Sequence, residues 1–150
     1  MKTVSFDELS SLVGQEIGVS EWVEISQSRI NQFAEATGDH QWIHVDVERA
    51  KKEMPGGKTI AHGFLTLSLI PMLGAGILRI TGVSRGINYG SNKVRFTNMV
   101  PVGSRVRARQ KLLSVENRGA GLQMINEMTI EIEGQERPAC VAETISMIYK

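Results

Sequence analysis

The spacing of apolar residues divides the chain into stretches of different period. Between 26 and 37, Ile30, Phe33, Ala34 and Thr37 recur at i, i+3, i+4 and i+7 behind Ser26, a residue type favoured as an N-cap. This predicts a helix that Gly38 closes in the left-handed conformation. From 60 to 80 the chain is apolar on all sides, which marks a buried helix over about 63–78. Pro71 lacks a backbone donor and should kink it. From 87 onward the period falls to two, predicting strands over 87–96, 104–115, 122–132 and 138–149. Leu122, Met124, Met128, Ile130 and Ile132 share one face of the third of these. Asn117 to Gly121 is a hairpin signal, and 98–103 and 133–137 read as turns. Ahead of these lie a short amphipathic helix over 6–12 and a first strand over 16–24. A one- or two-turn helix over 47–53 is capped by Asp46 and followed by a loop at 54–58. One long buried helix beside an antiparallel sheet is an α+β layout.

Length and charge narrow the function classes. A chain of 150 residues forms one domain, 1–150, long enough to bury about 70% of its unfolded surface. Seventeen basic residues stand against sixteen acidic ones, dispersed, for a net charge of +1. Neither nucleic acid nor a membrane is therefore expected as a partner. The twenty-one residues from 60 to 80 approach a membrane-spanning length. They include His62, Pro71, Arg79 and several glycines, however, which suits a helix enclosed by its own protein. The single cysteine, Cys140, sits in an alternating strand and reads as a small buried hydrophobe. It excludes an internal disulfide and fits a reducing compartment. With no secretory h-region at the N-terminus, a cytoplasmic location is expected.

The candidate chemistry lies in Thr37-Gly38-Asp39-His40-Gln41-Trp42-Ile43-His44-Val45-Asp46. Asp39 and His44 are five positions apart just past a helix end. A loop there can turn both side chains toward one water, as an acid–base pair requires. The plainer alternative is a polar loop making turn hydrogen bonds, with Asp46 as a helix cap. His40 reads as a solvated neighbour of Asp39, Trp42 as a packing anchor, and His62 as a structural histidine. A second stretch, Thr59-Ile60-Ala61-His62-Gly63-Phe64, places Gly63 where the long helix begins. Unpaired N–H groups and the helix dipole there could polarise a carbonyl, and glycine allows close approach. Packing alone is the competing explanation for Gly63. Three histidines in the chain match no H-E-x-x-H or Cys/His spacing, so no metal ligand is expected.

Together these stretches resemble the MaoC-like dehydratase family, the (R)-specific enoyl-CoA hydratases. The resemblance rests on Phe33, Thr37-Gly38-Asp39, Ile43-His44, Ala50 and Ala61-His62-Gly63, and is nearest to the nodulation-protein-N-like subgroup. Many relatives have Asn-Pro where this chain has Gln41-Trp42, a change that keeps the Asp39–His44 spacing. The resemblance implies a hot-dog fold, in which an antiparallel sheet wraps one long central helix, and a homodimer. It implies Asp39, His44 and Gly63 as the catalytic positions. The activity implied is reversible hydration of a trans-2-enoyl-CoA to a (3R)-3-hydroxyacyl-CoA. No metal or redox cofactor is implied, coenzyme A being part of the substrate. It also puts the substrate tunnel between the central helix and the strand after residue 87, where Lys93 or Arg95 could meet phosphates. Two rivals stand beside this reading. A hot-dog thioesterase generally carries its carboxylate on the central helix, and this chain has no Asp or Glu between His62 and Ile80. A non-catalytic acyl-thioester-binding module would keep the pocket without turnover, and intact Asp39, His44 and Gly63 count against it.

Overall fold

In the computed structural model, which describes residues 1–150, two short helices lie against a twisted antiparallel sheet. The sheet runs in the order β2 (Glu16–Val19), β6 (Arg105–Arg118), β7 (Gly121–Ile132), β8 (Cys140–Tyr149) and β5 (Arg85–Phe96). β3 (Val23–Glu24) pairs with the far end of β6. The predicted strand over 16–24 is thus two pieces. Between them Ser20 enters the ladder with its side chain, its Oγ accepting the Ala108 N–H at 2.9 Å while donating to the Glu21 carbonyl.

The predicted central helix is also two. α4 (Gly63–Ser68) and α5 (Ile70–Ala75) are separated at Leu69, which stays right-handed with a shallow ψ of −13°. Pro71 supplies no N–H for the carbonyl four residues earlier, which interrupts the ladder there, while the Leu69 N–H still bonds the Leu65 carbonyl at 3.2 Å and the Leu73 N–H the Leu69 carbonyl at 3.0 Å. The helix also ends earlier than expected. Leu78–Thr81 is β4, paired in parallel with β1 (Lys2–Ser5), and neither strand is foreseen by alternation. The stretch 6–12 forms a 3-10 helix. No helix is long and apolar enough to cross a membrane.

The core lies between these layers. Leu65, Leu69, Ile70, Leu73 and Ile77 meet Val106, Ala108, Met128, Ile130, Ile132, Cys140 and Ala142 from the sheet. Each fully buried Ile or Leu contributes about 1.5–3 kcal/mol through burial, so this contact holds the helices on the sheet. Cys140 is fully buried, and desolvation pushes its thiol up to about 11, which suits a packing role rather than a nucleophile. The sheet curves around α4–α5 as a hot-dog fold. The remaining helices, α1 (Gln27–Thr37), α2 (Trp42–Val45) and α3 (Val47–Glu53), form the approach to the start of α4.

Candidate active site

The site is assembled by backbone bonds between two segments distant in sequence. Ser26 caps α1 by accepting the Arg29 N–H at 3.1 Å, and Ile30 and Ala34 anchor the helix as fully buried residues. At its end Gly38 adopts φ +81°, a conformation glycine takes without a Cβ clash, and its N–H bonds the Ala34 carbonyl. The chain is thereby turned out into Asp39. An aspartate turn follows, the Gln41 N–H reaching Asp39 Oδ1 at 3.3 Å. The loop expected between Gly38 and Asp46 contains one helical turn, α2, which rotates His44 inward to 6% exposure.

Residues 59–62 lie alongside. The Ile60 N–H donates to the Ile43 carbonyl at 3.0 Å, and His44 Nδ1 donates to the Ile60 carbonyl at 2.7 Å. A carbonyl only accepts, so Nδ1 carries the proton and Nε2 keeps its lone pair. Gln27 braces the junction by donating to the His44 carbonyl and accepting from Thr59 Oγ1 at 2.5 Å. Burial lowers the His44 pKa below 6.5 and outweighs the Ile60 hydrogen bond. His62 lowers it further and Asp39 opposes. The ring is neutral at pH 7 and poised to accept a proton.

His62, which sequence reading treats as structural, occupies the centre of this arrangement. It is 2% exposed, stacks on His44 at 3.8 Å and lies 4.8 Å from the Phe33 ring. Its Nε2 donates to the Asp39 backbone carbonyl at 2.9 Å, leaving a buried Nδ1 without a partner. One atom each from Asp39, His44 and His62 lie within 4.8 Å of one another. One water can span that separation with hydrogen bonds of about 2.8 Å on each side. The same three residues are also the set nearest to a metal site.

Beside His44 opens a cavity of about 430 Å³ bounded by Ile60, Ala61, Gly63, Thr66, Phe96 and the 97–100 turn. Asp39 is exposed and, like His62, is not among the residues lining this cavity. The N–H groups of Gly63, Phe64 and Leu65 have no acceptor within the chain, so the start of α4 presents free donors here. Gly63 has an ordinary negative φ, so conformation does not demand glycine; space does. A Cβ there would lie 3.1 Å from the Phe96 ring. Arg137, from the turn before β8, supplies the only charge in the cavity wall. No spacing in the sequence points to it or to Phe96, because both reach the site only through the pairing of β5 with β8. Lys93 and Arg95 flank Val94, which packs into the core, and therefore face away from the helices. His40 is exposed beside Glu35, as expected of a solvated neighbour. Trp42 packs under the Arg49 guanidinium at 4.0 Å.

Comparison with known proteins identifies this architecture. A family described as the MaoC like domain matches residues 8–133. The chain is 54% identical over 142 residues to the 3-hydroxyacyl-thioester dehydratase Z of Mycobacterium tuberculosis, covering 94% of this chain and 93% of that protein. It is 47% identical over 150 residues to Nodulation protein N of Rhizobium leguminosarum bv. viciae, covering 99% and 93%. Among solved structures, the (R)-hydratase from A. caviae involved in PHA biosynthesis superposes with a TM-score of 0.70 at 21% identity. That match covers 89% of this chain and 96% of the other, and shows the shared fold. The chain belongs to the MaoC-like dehydratase family and is a hydro-lyase of the hydratase–dehydratase type.

Proposed function

We propose that this chain interconverts trans-2-enoyl-CoA and (3R)-3-hydroxyacyl-CoA, with Asp39 and His44 sharing the reacting water and the start of α4 receiving the thioester carbonyl. The observation that carries the reading is His44, held neutral with its Nε2 lone pair free and a ring nitrogen within one water's span of the Asp39 carboxylate, beside three unpartnered N–H groups. Asp39 holds the water as a second acceptor. As its oxygen attacks C3, an O–H bond breaks and the proton passes to His44 Nε2. Negative charge moves through the conjugated system onto the carbonyl oxygen, where the N–H groups of Gly63 and its neighbours stabilise it. Returning the proton to C2 completes the C3–O and C2–H bonds, and dehydration is the same path reversed. No protein-bound intermediate forms and no cofactor is called for. Coenzyme A arrives with the substrate, and Arg137 is the cation placed to meet it.

The (3R) outcome rests on the family resemblance. A homodimer is supported by the edge strand β5, which exposes its outer hydrogen-bonding edge together with Ile87 and Tyr89, and by exposed Phe64 and Met72 on the helices. The deciding experiment follows crotonyl-CoA with the purified chain, recording conjugated-thioester absorbance and free thiol together. Loss of absorbance without thiol, with the (3R) alcohol on a chiral column, is expected. Thiol release would mean a thioesterase, a (3S) product would overturn the stereochemistry, and no change across chain lengths would leave a binding module.

A further inference from the structure

On the helix-facing side of the sheet, where apolar residues are expected, the strand registers lay down a polar belt. Asn126 of β7 is opposite Thr144 of β8, and Thr144 is opposite Ser91 of β5. In the adjoining row Ser146 is opposite Asn88. Gln110 of β6 joins the belt through its Nε2, which donates to Asn126 Oδ1 at 2.8 Å. Met128–Ala142–Val94, with Gln110 as the β6 partner of Met128, borders it toward the catalytic end, and the apolar row Leu122–Ile148–Gly86 lies beyond.

The belt floors a second cavity, about 370 Å³, whose roof includes Pro71, Gly74 and Ala75 of α5. Gln110 and Asn126 are 5% and 4% exposed, yet Gln110 Oε1 has no hydrogen-bond partner. A buried amide oxygen left unmet is costly, so this atom calls for a donor from whatever fills the space. Rotating both amides by half a turn would present an N–H instead, and a hydroxyl satisfies either arrangement. No charged residue lines the cavity, which argues against a carboxylate or phosphate there.

The belt is four residues along the strands from the row of Phe96 and Cys140, whose Phe96 walls the catalytic cavity. At the rise of an antiparallel strand that is about 14 Å. A four-carbon acyl group, advancing about 1.3 Å per C–C bond when extended, cannot reach it, whereas a chain of about twelve carbons can.

Resting on the activity proposed above, we infer that this cavity receives the distal acyl chain and that Gln110 and Asn126 select chains bearing a hydroxyl group far from the reacting carbons. Binding tests this apart from turnover. Calorimetry on the wild-type protein compares saturated dodecanoyl-CoA with isomers hydroxylated at successive carbons of the distal half. One isomer should bind about fivefold or more tighter than the plain chain, the scale of one net hydrogen bond. The Gln110→Leu/Asn126→Leu protein should lose that preference with an unchanged or higher Tm, since it removes both polar partners together. If every isomer binds wild type no better than the plain chain, the inference is overturned and water meets the belt instead. Crotonyl-CoA hydration, measured in parallel with a chain too short for the belt, judges the catalytic assignment by itself.

Discussion

The two cavities flanking the helix pair treat polar atoms in opposite ways. Around His44, side-chain nitrogens are fixed by backbone carbonyls of nearby loops: His44 Nδ1 by Ile60 and His62 Nε2 by Asp39. At the distal cavity, polar side chains from separate strands hold one another, and one oxygen stays unmet. Backbone partners fix a ring's tautomer and direction, which chemistry needs. Side-chain partners leave capacity that a ligand can complete, which recognition needs. The catalytic end should therefore be intolerant for every substrate, whereas the distal end should discriminate among chains.

The sharpest break between the two ends comes from Asp39→Asn and His44→Ala. Each should lower kcat by about 10²–10⁴ on short and long substrates alike, the range for losing a positioned acid or base. His44→Ala should also lower Tm, because the Ile60 carbonyl loses its donor at a cost of about 1–3 kcal/mol. Asp39→Asn should not. Near-normal turnover by either variant would remove the acid–base assignment.

Gly63→Ala follows, with kcat/KM down by about 10², the scale of one lost oxyanion contact. The added methyl meets the Phe96 ring at 3.1 Å. Phe96 is about half exposed at the rim and can yield, so circular dichroism and Tm should change little. A stable, fully active variant would mean the carbonyl is polarised elsewhere.

A smaller effect separates positioning from chemistry. His62→Phe keeps a ring beside His44 but loses the donor to the Asp39 carbonyl. It should lower kcat about tenfold with KM unchanged, an effect near that of a lost supporting contact. His62→Gln, which can restore the donor, should recover part of the loss. A KM effect equal to the kcat effect would argue for general disruption of the fold.

The smallest effect is on pH dependence. The folded protein holds His44 below the ordinary imidazole value of 6.5, mainly through burial. As pH falls below 6.5 the unfolded chain takes up this proton first. Stability contributed by the neutral ring, full above that value, is therefore lost as pH drops through the folded pKa. The slope should not exceed about 1.4 kcal/mol per pH unit. The acid limb of kcat/KM should likewise lie below pH 6.5, and a limb above it would contradict a buried neutral base.

Local chemistry made much of this legible in advance. The Ser26 cap, the apolar stripe and Gly38 act within one helix, so their spacing already delivers the chain into Asp39. Five residues later His44 needs only one turn to come round. Alternation likewise outlines β6, β7 and β8, and its apolar face in β7 skips a single position, Asn126. Other features depend on contacts between segments far apart in sequence. The bonds that turn His44 inward come from Ile60, and His62 becomes central only when residues 59–62 pack beside α2. Parallel pairing of β1 with β4 ends the helix early, because residues 78–81 gain a strand partner 76 positions away in sequence. The polar belt is likewise a product of register. Gln110, Asn126, Thr144 and Ser91 are ordinary polar residues along the chain. They form one surface because four strands align them, and periodicity within a strand carries no information about its neighbour's register.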